Sequence, residues 1–362
     1  MLALAMPSAA AQEAAGPSRV AIKGRSFVLP NLPPSQQAPV LPNGRVNWSQ
    51  AYATQGMVYL LELTGDEKWA RDIVDWGTIA LAGRDAPHPA DGRGYAWTDR
   101  STTVLQPYVW AGYTGHVFAP LMEFSAYVLR DPKLRSRTYK GRTYREHALG
   151  FMREFTRALE VHSSELADDG RHAYFRFRRP VPVKNKRING QPLPYNMNAA
   201  LFSAMLHLAK AEEAAGRKEA AQRLSRSVAR FVVYLNEAVL SRRPCGSRTC
   251  VTWQYSTYIT RSEDVGHSNL VVRFLFDAHE NRYRVSANDL IGIANTIDSL
   301  TAPDGSFRAN LFDGSKIGGS RDSIYYVLLL TKYSAALRAK FQHTMNRTRT
   351  FAYWGSWLKA AN

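Results

Sequence analysis

From Trp48 onward, apolar residues recur at intervals of three and four, the spacing that buries one stripe of a helix. The segment WSQAYATQGMVYLLELTGDEKWARDIVDWGTIAL predicts two antiparallel helices, over 48–63 and 67–83. Thr64-Gly65-Asp66 joins them, with glycine ending the first helix and aspartate capping the second. The unit returns. Helices are predicted over 115–130 with 143–160, over 195–215 with 217–239, over 264–281 with 286–300, and over 321–342 with 350–360. Strand signal is confined to short runs such as Ala173 to Arg178 and Val251 to Tyr258, so the expected class is all-α. The pairs are irregularly spaced, which argues against a solenoid of fixed period. Alternating short turns and long polar loops suggest instead a closed ring of hairpins. Ahead of the helices, Pro30, Pro33, Pro34, Pro39 and Pro42 block helix, and residues 12–45 are expected to form an extended lead-in to one domain over 46–362.

Composition narrows the function. With 362 residues, 45% hydrophobic and 21% charged, the chain is of ordinary globular type. No run approaches the ~20 apolar residues of a membrane span, so membrane insertion is not expected. The net charge of +17 favours an anionic partner: nucleic acid, an anionic membrane surface or an acidic polysaccharide. The basic residues are scattered, densest at Arg171 to Arg187 and Arg242 to Arg248, and no zinc-finger, nucleotide-loop or RNA-sheet motif accompanies them. Nucleic acid is therefore not the expected partner. Ala9-Ala10-Ala11 before Gln12 has the form of a signal-peptidase site, so residues 1–11 read as a residual signal peptide of a periplasmic or secreted protein, with the true N-terminus open. Cys245 and Cys250 bracket CGSRTC, a loop that a disulfide can staple in an oxidising compartment. No second CxxC or HxxxH completes a zinc site, and neither metal nor cofactor is expected.

Three phrases carry a resemblance. LTGDEKWARDIVDW, then LPYNMNAALFSAMLHLAKAEEAAGRKEAAQRLSRSVARFVVYL, then WQYSTYITRSEDVGHSNLVVRFLFDAHE are similar to the (α/α) toroid carbohydrate enzymes. Within that group the chain most resembles the polysaccharide lyases acting on uronates, the alginate and glucuronan lyases, with a looser likeness to glucuronyl C5-epimerases. The resemblance covers roughly residues 48–340, and glycoside hydrolases of the same ring fold share its phrasing. It implies an incomplete barrel of about five to six helical hairpins, β-elimination as the reaction, and an acidic polysaccharide as the partner. Fold analogy alone does not fix function.

The densest chemistry runs from Trp253 to His267, out of an aromatic segment and into a helix that Ser262 or Asp264 can cap. Glu263 and His267, four apart, are expected on one face of its first turn. β-Elimination needs a neutralised carboxylate, a base for the C5 proton and an acid for the leaving oxygen. Tyr258 is the preferred proton carrier and Tyr255 the second, with Arg261 expected to lower the phenol pKa; either tyrosine also reads as a wall aromatic. Glu263 is a grip on the substrate, a partner of Arg261 or a plain first-turn charge. His267 is a base, a carboxylate ligand or a buried helix residue.

By similarity with the uronate lyases, Asn196 is the candidate neutraliser, with Asn198 and Tyr195 beside it as substrate contacts. One of the two asparagines is expected only to cap the helix, and His207 lies too far along to join them. Trp253, and a loop holding Tyr95, Trp97, Arg100, Tyr108, Trp110, Tyr113 and His116, offer rings and a cation to a sugar, or pack in the core. Arg171, His172, Tyr174, Arg176 and Arg178 form a basic rim or a solvated strand. Two other readings stay open. A toroid glycoside hydrolase would need carboxyls ~5–9.5 Å apart, drawn from Glu263, Asp264, Asp99 and Asp304. A non-catalytic binder of acidic glycan would need only charge and aromatics. The uronate, its linkage, endo or exo attack and the oligomeric state are left open.

Overall fold

Helical hairpins dominate the computed structural model, which describes residues 19–22, 25–28, 48–87, 94–99, 108–177, 188–308, 312–313, 324–345 and 351–362. The first pair is α1 (Trp48–Thr64) and α2 (Glu67–Ala82). Between them Gly65 takes a φ of +65°, a left-handed turn that glycine adopts freely, and Asp66 accepts from the Lys68 N–H at 2.9 Å. Next, α3 (Ala111–Arg130) leads through the short α4 (Pro132–Ser136) to α5 (Tyr144–Val161). Then come α6 (Tyr195–Ala214) with α7 (Lys218–Tyr234), and α8 (Val265–Glu280) with α9 (Ala287–Leu300). A 3-10 helix (Val327–Lys332), α10 (Ala335–Met345) and α11 (Phe351–Ala361) complete the series.

Two boundaries differ from the sequence reading. Helix α3 starts four residues early, at Ala111, behind a Trp110 that makes no side-chain cap bond, so no capping residue marked the position. The helix expected over 321–342 is broken within its described part. Tyr326 and Val327 donate their N–H groups to Asn269 Oδ1 at 2.7 and 3.2 Å, and Ser334 Oγ accepts from Leu337 N–H at 3.1 Å to begin α10 afresh. The intervening Val327-Leu-Leu-Leu-Thr run is buried throughout and offers no one-sided stripe to reveal the break.

The inner helices close on themselves. α1 packs on α3, α3 on α6, α6 on α8, α8 on the 3-10 helix, the 3-10 helix on α11, and α11 back on α1. Outside this ring, α2, α5, α7, α9 and α10 each back onto an inner element, which is the architecture of an (α/α) toroid, as expected. Two joints are close enough to require glycine. A Cβ on Gly115 of α3 would lie 2.3 Å from the Leu201 nitrogen of α6, and one on Gly355 of α11 would lie 2.5 Å from the Gly56 carbonyl oxygen of α1.

A charge cluster sits inside the ring. Arg273 of α8 donates to Glu123 of α3 at 3.1 Å and to Asp277 at 3.3 Å, while His207 of α6 pairs with Asp277 at 3.0 Å. Gln55 of α1 donates to Glu123 at 2.6 Å, and Lys359 of α11 pairs with Glu62 of α1. His207 is thus a partner inside the ring and stands apart from the two asparagines.

Strands are short. Ala173–Phe175 pairs with Leu166–Asp168, and Ser241–Cys245 pairs with Arg248–Thr252 in a hairpin bridged by the Cys245–Cys250 disulfide. In the lead-in, Arg19–Ile22 pairs with Arg25–Val28; residues 1–11, with most of 12–45, lie outside the described residues. No helix is long and apolar enough to cross a membrane among the described residues.

Two outcomes test this account. Gly115→Val forces a side chain against α6 backbone, which rotamers cannot relieve, so unfolding stability should fall by about 3 kcal/mol or more; a denaturant midpoint near wild type would contradict the close joint. Cys245→Ser should lower stability by at most about 2 to 3 kcal/mol, since the closed loop is short. Two titratable thiols in protein purified without reductant and then denatured would contradict the staple.

Candidate active site

A cavity of about 480 Å³ opens where the inner helices begin. Trp48 and Tyr52 reach it from the first turns of α1, Trp110 and Tyr113 from the start of α3, and Asn196 and Met197 from the start of α6. Asp264 and His267 come from the start of α8. Asp99, Tyr255 and Tyr325 complete the wall from the connections between helices.

The loop before α8 is a closed hairpin. Tyr255 N–H donates to Arg261 O at 3.1 Å, and Glu263 N–H donates to Trp253 O at 3.0 Å. Tyr195 N–H in turn donates to the Tyr255 carbonyl at 3.3 Å, which docks the loop on α6. Asp264 then caps α8, accepting from His267 N–H at 2.9 Å, and its second oxygen lies 2.6 Å from His267 Nδ1. Burial pushes the Asp264 carboxyl up, but the His267 ring, its N–H and Arg261 together hold it below the usual carboxylate range. An ionised Asp264 keeps the ring proton on Nδ1 and leaves His267 Nε2 as an acceptor. The Tyr255 ring stands edge-on to His267 at 5.3 Å, with the Arg261 guanidinium 5.1 Å from the Tyr255 ring centre.

Asn196 supplies a free donor. It is 1% exposed, its Oδ1 accepts from Met197 N–H at 2.9 Å, and its Nδ2 has no partner among the described residues. A buried amide N–H in that state costs free energy unless something else binds it.

The cavity therefore gathers Tyr255, His267, Asn196, Trp110 and Tyr113 from the sequence candidates, together with Asp99 and Asp264. Others stand elsewhere. Tyr258, the preferred proton carrier, turns with the loop tip onto Phe177, ring centres 6.0 Å apart, and does not line the cavity. The expected lowering by Arg261 does act on Tyr255 but is outweighed there, and Arg261 is not among the groups that shift Tyr258. Burial, then the Glu263 charge, pushes Tyr255 up to about 12, and burial followed by Tyr255 raises Tyr258 further. Glu263 precedes α8 instead of joining its first turn; it is fully buried under the wall, accepts from Asp264 N–H at 3.1 Å, and is pushed well above the carboxylate range by burial, then Asp264. Arg261 is exposed at the rim.

The remaining substrate candidates divide by burial. Neither asparagine caps α6, because Pro194 holds that position. The Asn198 amide bonds Phe175 N–H at 2.6 Å and the carbonyls of Leu193 and Phe175 at 2.9 and 3.2 Å, which makes it a clamp with no free donor for a sugar. Trp97 donates to Ala80 O at 3.2 Å, Trp253 packs edge-on to Phe312 at 4.7 Å, and Tyr195 packs beside Tyr234; all three are core residues. Tyr95 and Tyr108 are buried as well. His116 lies behind Trp48 and Tyr52, 4.7 and 4.6 Å away, and burial lowers its pKa to about 3, so it stays neutral. Arg176 is exposed just past the Ala173–Phe175 strand, while Arg171 and His172 both bond Glu237, which offsets the positive rim expected there. Asp304 bonds Ser306 in a turn, and Arg100 and Arg178 lie outside the described residues. Trp48, Tyr52 and Tyr325 were missed: at 48 and 52 the helical period reads as core, and Tyr325 stacks on Tyr52 at 4.0 Å from a distant connection.

The Asp264 pair has a pH signature. A carboxyl whose native pKa lies below the unfolded ~3.9 adds stability above that value and loses it as pH falls through the native one. Asp264→Ser keeps a capping oxygen but removes the charge. Its stability deficit should be full at neutral pH and shrink toward pH of about 2 in stepped equilibrium unfolding. A deficit constant over that range would contradict the pairing.

No family model and no curated protein matches the chain. Among solved structures it is similar in overall course to the GH76A alpha-1,6-mannanase of Salegentibacter sp. HEL1_6, at 10% identity over 89% of this chain and 93% of that one, with a TM-score of 0.44. An inactive variant of that enzyme in complex with alpha-1,6-mannotetrose gives 0.45 with the same identity and coverage. A glycosyl hydrolase family 88 protein from Bacteroides vulgatus matches at 12% identity over 90% of this chain and 93% of that one, with a TM-score of 0.41. Likeness at this level says nothing of shared chemistry.

Proposed function

We propose that the chain is a glycan-cleaving enzyme working at the mouth of the toroid, and that its reaction is β-elimination on a uronate-containing polysaccharide. The observation that carries this reading is the buried Asn196 amide, its Nδ2 unpartnered, in the same cavity as His267 and Tyr255. A sugar carboxylate accepting from Nδ2 at the start of α6 also meets the positive end of the helix, and the C5 proton beside it becomes more acidic. His267 Nε2 takes that proton, and Asp264 steadies the imidazolium. The electron pair forms the C4–C5 double bond as the C4–O4 bond breaks, and Tyr255 gives its phenolic proton to the leaving oxygen. A phenol raised to about 12 is protonated at neutral pH, which suits it as the acid and not the base. His267 then returns the proton to Tyr255. The disulfide and the +17 charge fit an exported protein that meets an anionic polymer.

A second reading, glycoside hydrolysis, is favoured by one observation: Asp99 and Asp264 line the same cavity, one beside the start of α3 and one at the cap of α8. Against it, Asp264 has both oxygens engaged by His267 and is held ionised, the opposite of a general acid.

A panel of glucuronan, alginate, pectate and glycosaminoglycans, followed by absorbance of the unsaturated uronate, separates the readings. Under elimination, His267→Ala and Tyr255→Phe should each lower turnover by about 10²- to 10⁴-fold, Asn196→Ala should lower it too, and Tyr258→Phe should remain near normal. New reducing ends without absorbance, abolished by Asp99→Asn, would establish hydrolysis instead. Binding with neither product would leave a glycan-binding protein.

A further inference from the structure

A second polar constellation lies behind the cavity wall. Thr114 Oγ1 is 2.9 Å from His162 Nε2, His162 Nδ1 is 2.8 Å from Glu165 Oε2, and Tyr108 OH is 3.3 Å from Glu165 Oε1. The sequence hydroxyl, imidazole, carboxylate is that of an activated nucleophile. Yet Thr114 and His162 are fully buried, Tyr108 is 1% exposed and Glu165 2%, and none of the four lines the cavity. Three elements meet in this chain of bonds. Thr114 belongs to the first turn of α3, His162 and Glu165 follow α5, and Tyr108 sits in the strand paired with Thr98–Asp99.

Between those elements stands the cavity wall. The Tyr108 ring is edge-on to Trp110 at 4.7 Å, Trp110 Nε1 donates to Asp99 Oδ2 at 2.9 Å, and Tyr113 is the neighbour of Thr114. With Glu165 accepting from both His162 and Tyr108, the imidazole acceptor faces Thr114, and each bond has a single consistent direction. We infer that His162 and Glu165 are positioning residues: through Thr114 and Tyr108 they set the angle of the Trp110–Asp99 pair, and with it the fit of a sugar ring against that wall. Only the kinetic part of this inference rests on the glycan-cleaving reading.

Glu165→Gln keeps the shape but sets an amide N–H against one of the two donors, His162 or Tyr108. Tyr108→Phe removes a single hydroxyl, and serves if the first variant fails to fold. Each should displace the Trp110 indole N–H resonance, identified among the 8 tryptophans by its loss in Trp110→Phe. Each should also raise KM by about tenfold while kcat stays within about twofold, a split that general destabilisation does not produce. An unmoved indole resonance in the folded variants overturns the inference, as does a moved resonance with unchanged KM. Should wild-type protein cleave no glycan, the enzymatic reading falls by itself and the indole resonance decides the positioning role.

Discussion

An arginine with 1% of its surface exposed ties the ring together. Arg273 of α8 bonds Glu123 of α3 and Asp277 of its own helix, reaches the Tyr326 hydroxyl at 3.5 Å, and through these partners meets His207 of α6 and Gln55 of α1. Lys359 of α11 closes the set on Glu62. Burying such charges is costly, and removing one partner of a buried pair costs about 3 to 5 kcal/mol because the other is left without water or counter-charge. The cluster therefore penalises sliding more than it adds stability. An inner helix displaced by one turn would strand its charge in an apolar ring.

Register inside the ring becomes geometry at its mouth. On α1 the stripe Trp48, Tyr52, Gln55, Tyr59, Glu62 runs at alternating steps of four and three from the cavity wall to the charge cluster. On α6, Asn196, Ala200, Ser203 and His207 do the same. Fixing Glu62 and His207 by their partners fixes the rotation of both helices, and so which residue of the first turn faces the cavity. Helix α6, held from its other end, keeps Asn196 at the cavity with its Nδ2 unpartnered among the described residues.

Helix boundaries were legible at several capped starts, although Ser334 before α10 and Asp131 before α4 also cap starts that the sequence pattern did not mark. Asp66 and Asp264 each accept a backbone N–H as their positions suggest, and Ser286 and Thr143 form capping boxes at α9 and α5. The start of α3 was not, since Trp110 caps nothing. Ring closure joins the first inner helix to the last through Gly56 and Gly355, a contact that no local pattern announces; the resemblance supplied it. At the site, polar residues crowded against a helix start were informative, as Asn196, Asp264 and His267 show. Aromatics were not. Trp97 and Trp253 in the core, and Trp48 and Tyr52 at the mouth, occupy helical or loop positions with the same local pattern, and only tertiary packing separates them. Tyr255 and Tyr258 are three residues apart in one loop, yet the turn between them sends one to the cavity and the other to Phe177.

Charge acts at two ranges in this molecule. The surface carries the +17 excess, but the described residues lining the cavity include Asp99 and Asp264 and neither lysine nor arginine. At physiological ionic strength the reach of the surface field is ~8 Å, enough to gather a polyanion and too short and diffuse to orient one carboxylate. Within the proposed reaction that second task falls to neutral donors, the Asn196 amide and the peptide N–H groups at the helix starts. A lysine or arginine in the wall would pair with Asp99 or Asp264 before any substrate arrived, and the Asp264–His267 bond would have a competitor. An amide has no such rival interaction. It leaves the Asp264 carboxylate with its histidine, and within the proposed reaction the Nδ2 of Asn196, unpartnered among the described residues, is satisfied when a substrate oxygen reaches it.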